Sequence, residues 1–446
     1  MVTSITAHPV STVRRQFISF PVADLQRTKL QMLSWANQFN ICCFLDNQQY
    51  NLPHHSVECM AAAGAVQTLA TAAGTAFEQL QAFCEQHRDW LFGHLSYDLK
   101  NETDGLTSAN ADGIGFPDLS FFVPEVILQL GEQELCIGAF DARHERIFHE
   151  ICNMDVPTAP AQHLTNPINN RISRGEYIRI IQQLQQHILR GDCYEINFCQ
   201  EFFAERVDID PLQVYCSLSD TSPNPFAAYY KTGQQYLLCA SPERYIKKEG
   251  ERIFSQPIKG TSQRNLNDAG EDVKSKEYLY NSAKDRSENV MIVDLVRNDL
   301  SKICEEASVK VEELFGIYSF PQVHQMISTV SGQLRSDIHF IDAIKATFPM
   351  GSMTGAPKKR VMELIEQYEQ TRRGIFSGAV GYITPDGDFD FNVVIRSIMY
   401  NAGSKYLSFQ AGSAITFYSD PEKEYEECLL KAAAIKKVLS GQVGRP

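Results

Sequence analysis

Four acidic residues fall into two pairs of the same spacing, Asp285 with Glu288 and Glu424 with Glu427. On a helix, residues three apart share a face, one above the other. Carboxylates set out that way, with positions left for water and substrate, suit Mg2+. Either pair alone is equally a solvated surface pair, and Glu427 with Lys431 at i, i+4 would form an ion pair. A lysine attracts attention for another reason. In "FSQPIKGTSQR", Phe254 to Arg264, the apolar residues read as a strand end and Gly260–Thr261 as the turn after it. Lys259 sits at the junction, either as a solvated charge or as a nucleophile held over a pocket. Glu243, in "CASPERYI", follows a Ser-Pro turn, where a surface acid is the default. Arg396 interrupts the apolar strand "VVIRSIMY". An arginine there needs an anionic partner, from the protein or from a ligand, because an unpaired buried charge is costly. Two small-residue turns complete the set. "FPMGSMTGAPKKR", Phe348 to Arg360, opens a helix where backbone N–H groups favour an anion, although the GxxxxGK[ST] spacing is absent. "FQAGSAI", around Gly412, is a place where backbone could approach a ligand.

These groups need rigid carriers. Asp285 and Glu288 lie in "KEYLYNSAKDRSENVMIVDLVRNDLSKI", which reads as one long helix with a strongly apolar second half. Asp294 and Asp299 continue along it without evident matching cations. Glu424 and Glu427 lie in "DPEKEYEECLLKAAAIKKVL", a helix with Asp420 as its cap and Pro421 at its first position. Residues 375–419 alternate as strands, with turns at Asp386–Gly387 and Asn401–Gly403, and "SPERYIKKEGERIFSQPIKG" is a hairpin turning at Glu249–Gly250. "SRGEYIRIIQQLQQHILRGDCYEINFCQEF" reads as helix, turn and strand, opened by a capping box of Ser173 and Glu176. Earlier in the chain, Leu25–Phe39 and Thr71–His87 have helical spacing and Asn40–Leu45 is a short apolar run. "LSFFVPEVILQLGEQELCIGAF" reads as a hairpin about Gly131–Gln133. Asp155–Asn170, rich in Pro, Asn and Thr, is the expected linker. The order of elements is α+β with antiparallel strands.

Composition narrows the function classes. The chain has 446 residues, 43% of them hydrophobic and 21% charged, and a formal net charge of −13. That balance excludes a general binder of nucleic acid or anionic membrane. It does not disfavour a small anionic substrate, which needs only a few placed cations. No apolar run is long enough to span a membrane, and the N-terminus lacks the order of a signal peptide. The 12 cysteines include no CxxC pair, so a cytoplasmic protein with reduced thiols is expected and a zinc site is not.

Taken in order, "GDCYEINFCQ", "SPERYI", "PIKGT", "SENVMIVDLVRNDL", "FPMGSMTGAPKKRVMELI", "GYI", "VVIRSI" and "EYEECLLKA" resemble the chorismate-utilising enzymes. That family includes anthranilate synthase component I, aminodeoxychorismate synthase component I, and the isochorismate and salicylate synthases. The resemblance covers about residues 170–440 and is weak before residue 165. It implies an anthranilate synthase component I-like sandwich of two large antiparallel sheets flanked by helices. Residues 166–446 would form the chorismate-binding catalytic region, with residues 1–165 a variable part woven into the same sandwich.

Within the family, Lys259 of "PIKGT" resembles the aminodeoxychorismate synthases, since anthranilate synthases typically carry alanine there. Isochorismate and salicylate synthases place a water-activating lysine where "FCQ" has Gln200, which speaks against water as nucleophile. The resemblance then implies Mg2+-dependent amination of chorismate at C4, on the way to para-aminobenzoate and folate. Lys259 would attack ring carbon 2, and Glu243 would act as general acid on the leaving C4 hydroxyl and later as base. Glu288 and Glu427 would bind Mg2+, with Asp285 and Glu424 at its waters. Gly260, Thr261 and Lys431 would line the ring-carboxylate end. Tyr382, Arg396 and Gly412 would hold the enolpyruvyl carboxylate, and Thr354 would lie near the ring. Lys259 must be neutral to attack, a state that desolvation or a nearby cation favours. The chain lacks the cysteine turn of a glutaminase, so ammonia is expected from a glutamine amidotransferase subunit.

Three departures accompany the resemblance. Gln325 stands where the family often has histidine, with His324 beside it. Ala414 replaces a third small glycine. "CFLDN", Cys43 to Asn47, is only faintly similar to the family's tryptophan-binding segment, so feedback inhibition by tryptophan is not expected. The competing readings are anthranilate synthase component I and a catalytically silent subunit with the family fold.

Overall fold

The computed structural model describes residues 14–50, 57–157, 164, 166–320 and 323–441. The N-terminus read for a signal peptide lies mostly outside these residues, as does part of the expected linker. Among the described residues every pairing between strands is antiparallel, and two large sheets result, of 12 and 10 strands. Strands from the first 140 residues enter both sheets. Gln16–Pro21, Ile41–Asp46, Cys59–Ala63, Val126–Leu130 and Glu134–Ala139 belong to the larger; Gln67–Thr71, Leu91–Leu95 and Leu119–Val123 belong to the smaller.

Strand periodicity builds the layers. In Ile41–Asp46, Cys42 and Phe44 point into a core shared with the helices outside the larger sheet. Cys43 points the other way, into a core shared with Phe92 and Phe122 of the smaller sheet, and its cross-strand partner Tyr230 meets His94 there. The inner faces of both sheets thus contribute to one apolar cluster, and helices cover the outer faces.

Two elements differ from the sequence reading. The expected hairpin before residue 140 keeps its turn at Gly131–Gln133, but its first run is two strands. Leu119–Val123 ends before Pro124 and lies in the smaller sheet, whereas Val126–Leu130 lies in the larger. Proline supplies no N–H and suits such a crossing between sheets. The expected single long helix is likewise two, Ala269–Asn281 and Ala283–Ser301, broken at Ser282. Ser282 leaves helical geometry (φ −64°, ψ 110°), and its side chain accepts from the Asp285 N–H. The break gives Asp285 the first turn of a new helix, where the helix dipole favours an acid. The acids further along are not without cations: Asp294 pairs with Arg297, and Asp299 with Lys302 and Lys358.

A seam between the sheets carries the candidate site. Ile258–Gln263 is an outer strand of the smaller sheet, while Glu195–Ala204 lies close to one edge of the larger. Ala283–Ser301 packs on the former and Pro421–Leu439 on the neighbour of the latter, Tyr406–Ile415. A buried pair, Arg373 and Glu369 at 2.7 Å, ties the Glu195 strand to the turn Gly351–Met353. Arg373 donates to the carbonyls of Asn197 and Met353, and Glu369 accepts from the Cys199 N–H.

Candidate active site

Lys259 owes its direction to a β-bulge. Opposite the Val323–Gln333 strand, Ile258 pairs with Ile327 but Thr261 pairs with Gln325, so the lysine strand carries one extra residue. Gly260 occupies that bulge with φ +90°, and a Cβ there would lie 2.9 Å from Asp285 Cβ. Bulges re-aim side chains. Here Lys259 is sent across the seam, where its Nζ donates to Glu195 Oε1 at 3.0 Å. The two side chains are 12% and 2% exposed. Burial pulls the lysine towards neutrality, but the carboxylates of Glu195, Glu288 and Glu243 together outweigh it and raise its pKa. The neutral lysine expected from desolvation is therefore not the resting state; a salt bridge is.

Glu243 is buried between Ser241 and the Arg244–Glu249 strand, and its backbone is fixed by hydrogen bonds to Ser241 and Val393. Burial pushes its carboxyl up to about 7, moderated by the Ser352 hydroxyl, Lys259, the Ile258 N–H and Arg396. Arg396 is half-buried and held at φ 51°, a left-handed conformation uncommon outside glycine. Burial lowers its pKa, with Glu243 and Tyr50 acting the other way. Among the described residues no side chain forms a salt bridge with its guanidinium.

The two acid pairs do converge. Lys284 Nζ lies 3.8 Å from Glu288 Oε1, 3.8 Å from Glu424 Oε1 and 3.9 Å from Glu427 Oε2. An ammonium thus stands among three carboxylates contributed by two helices. Burial pushes Glu288 up to about 7 despite Lys259 and Lys284. Glu424 is buried, and its Oε2 has no hydrogen-bond partner. Glu427 also pairs with Lys431 at 2.9 Å, the i, i+4 contact read from the sequence. Among the described residues, no three acidic, histidine or cysteine side chains are already arranged to hold a metal ion. The donor set nevertheless fits one: all oxygen, one orphaned atom, and a cation already standing in at its centre.

Other expected residues divide. Lys431 Nζ donates to the Gly412 carbonyl at 2.9 Å, which joins those two positions. Gly412 itself is required by packing, since a Cβ would lie 1.9 Å from the Phe198 carbonyl oxygen. Thr354 is buried, and its hydroxyl donates to the carbonyls of Met350 and Gly351. Thr261 is exposed on the lysine strand. Tyr382 is not placed with these residues. Its ring packs beside Trp90 and Phe92, and it lines a separate cavity between the sheets with Asp46, Phe226, Lys247 and Asp390. "CFLDN" contributes Leu45, Asp46 and Asn47 to that cavity, with Asp46 already bonded to Lys29. The aromatic residue near enough to influence the titration of Arg396 is Tyr50 instead, a neutral phenol whose hydroxyl donates to the Pro223 carbonyl.

Gln200 is not the residue of its strand that meets the lysine. Its amide is buried against Cys428, whereas Glu195, five residues earlier, makes the contact. A glutamate inside the apolar run "YEINF" was the available signal, of the same kind as Arg396 in its strand. His324 is engaged by Ser319 and Asp272, and Gln325 is fully buried with both amide atoms unpartnered.

The model of the chorismate binding enzyme family matches residues 38–437. Aminodeoxychorismate synthase component 1 of Salmonella typhimurium is 36% identical over 348 residues, 77% of this chain and 75% of that one. Its Escherichia coli namesake is 35% identical over 78% of this chain and 76% of its own length. Among solved structures, anthranilate synthase component I of Streptococcus pneumoniae superposes with a TM-score of 0.75 at 25% identity, covering 87% of this chain and 94% of that one. The menaquinone-specific isochorismate synthase of Escherichia coli shares the fold, with a TM-score of 0.74 at 17% identity over 96% and 95% of the two chains.

Proposed function

This chain belongs to the chorismate binding enzyme family, and from that premise we propose that it aminates chorismate at C4 to give 4-amino-4-deoxychorismate. The observation that carries the reading is Lys259, aimed by its bulge across the seam and flanked by Glu195, Glu243 and Glu288. The 35–36% identity to proteins named aminodeoxychorismate synthase component 1 supports it.

The roles follow from the chemistry of the groups. Lys259, once neutral, attacks ring carbon 2. The two conjugated ring double bonds shift, and the C4–O bond breaks. Hydroxide is a poor leaving group, so Glu243 protonates it; with its carboxyl pushed up to about 7, Glu243 still holds that proton near neutral pH. Ammonia then adds at C4, the double bonds shift back and the C2–N bond to lysine breaks. Glu243 recovers its proton from the new amine. Arg396, half-buried without an ion-pair partner among the described residues, is suited to the enolpyruvyl carboxylate. Magnesium, held by Glu288 and Glu427 with Asp285 and Glu424 on its waters, would neutralise the ring carboxylate. Ammonia would come from a glutamine amidotransferase subunit, as the "component 1" in the relatives' names suggests.

Purified protein with chorismate, ammonium chloride and MgCl2 tests the reading. Aminodeoxychorismate is expected without release of pyruvate, and Lys259→Ala should abolish it. Anthranilate with pyruvate would replace the proposal by the anthranilate synthase reading.

A further inference from the structure

The reaction leaves one proton without a destination. Lys259 can form a C–N bond only with a free lone pair, yet the structure holds it as an ammonium. Four acids act on it: Glu195 from the larger sheet, Glu243 from the loop before its strand, Glu288 from one helix and Glu427 from the other. Glu243 must itself arrive protonated to release the C4 oxygen. Glu288 and Glu427 share the Lys284 ammonium. Among the described residues Glu195 alone hydrogen-bonds Nζ, at 3.0 Å. It is 1% exposed, and its Oε2 is buried with no hydrogen-bond partner. A buried carboxylate oxygen with no donor is costly. Its charge is answered by Lys259, so the pair can become neutral together without stranding a third group.

We propose that Glu195 is the proton acceptor that converts Lys259 from ammonium to nucleophile and later returns the proton. The inference rests on the amination reading above. Transfer along the existing hydrogen bond turns Lys-NH3+ and Glu-COO− into Lys-NH2 and Glu-COOH. The amine forms the bond to C2 and Glu243 gives its proton to the departing hydroxyl, so water leaves and the adduct nitrogen is cationic. Ammonia bonds to C4, and the electron pair of the C2–N bond returns to lysine as a neutral amine. Glu243 takes a proton from the new C4–NH3+ group, and Glu195 reprotonates Lys259. The sum is chorismate plus ammonia to aminodeoxychorismate plus water.

Glu195→Gln and Glu195→Ala test this by steady-state assay with chorismate, ammonium chloride and MgCl2, after thermal melts establish that both variants fold. Each should lose about 10²–10⁴-fold in kcat. Added formate, a carboxylate small enough to enter the space vacated in Glu195→Ala, should restore rate in proportion to its concentration. An acid that only anchors the ammonium gives a different pattern, a raised KM or an unchanged or faster kcat, with no response to formate. A kcat for Glu195→Gln within threefold of wild type, or a loss in Glu195→Ala that formate leaves untouched, would overturn the role while wild-type product kept the amination reading intact. Anthranilate from wild type would remove both.

Discussion

Lys284 Nζ stands 3.8 Å from Glu424 Oε1, a contact that bridges the Ala283–Ser301 and Pro421–Leu439 helices. The lysine side chain is 60% exposed, so it is a cation that can leave. Magnesium, held as proposed, would compete with the ammonium for the same carboxylates. Lys284→Ala should therefore tighten Mg2+ binding, by roughly two- to fivefold given the modest worth of an exposed ion pair. It should also lower the melting temperature of the metal-free protein, because the acids are left facing one another. Calorimetric titration with MgCl2 reads the first effect and a melt in EDTA the second. Weaker binding in Lys284→Ala would show that the lysine helps hold the ion's site together instead of filling it.

Removing a proposed ligand should act in the opposite direction. Glu288 side-chain exposure is 12%, and its place one turn after Asp285 is set by the Ser282 cap. Glu288→Gln keeps the shape and loses the charge, so Mg2+ affinity should fall by about tenfold or more. Asp294→Asn, further along the same helix and paired with Arg297, is the control and should titrate as wild type does. Identical titrations for Glu288→Gln and wild type would refute the assignment.

Arg396 is a case where function and stability pull apart. A half-buried guanidinium without a salt bridge among the described residues destabilises the ligand-free fold, and burial already lowers its pKa. Arg396→Met should stabilise the free protein by about 1 kcal/mol. The same change should reduce kcat/KM for chorismate by roughly thirtyfold or more, the cost of removing one partner of a desolvated charge pair. Melts and steady-state kinetics on the one variant check both. A variant that loses stability and keeps its kcat/KM would mean that Arg396 serves the protein and not the substrate.

The sequence made Lys259, Glu243, the acid pairs and Arg396 legible because each is a charge in the wrong place: at a strand end, in a tight turn, on an apolar helix, inside an apolar strand. Glu195 has the same signature but was hidden inside a motif read as a strand. Its partner lies 64 residues away, in the other sheet. Contacts between sheets depend on register and on the extra residue beside Gly260, neither of which spacing along the chain reveals. The surroundings of Tyr382 were hidden for the same reason. A tyrosine in a strand has one of two faces, and this one turns to Trp90 and Phe92. The helix read over 276–303 looked continuous because its composition is helical throughout; only a side-chain cap at Ser282 divides it.

Glu243 sets a pH dependence whose sign can be worked out. Its carboxyl is raised from 4.5 to about 7 by burial. In the proposed role of general acid it must be protonated, so kcat/KM should fall as pH rises through about 7. Stability should follow the same direction. Between pH 4.5 and about 7 the unfolded chain has already released this proton while the folded protein retains it. The folded state therefore binds more protons in that window, and stability declines as pH rises across it. Glu288 is raised to about 7 as well, so wild type alone would mix two groups. Comparing wild type with Glu243→Gln isolates the first. The glutamine variant carries no titrating proton at this position, so the difference in melting temperature between the two proteins should move in its favour from pH 5 to pH 8. A difference that stays constant over that range would mean that Glu243 titrates alike in the folded and unfolded states, and the general-acid role would lose its physical basis.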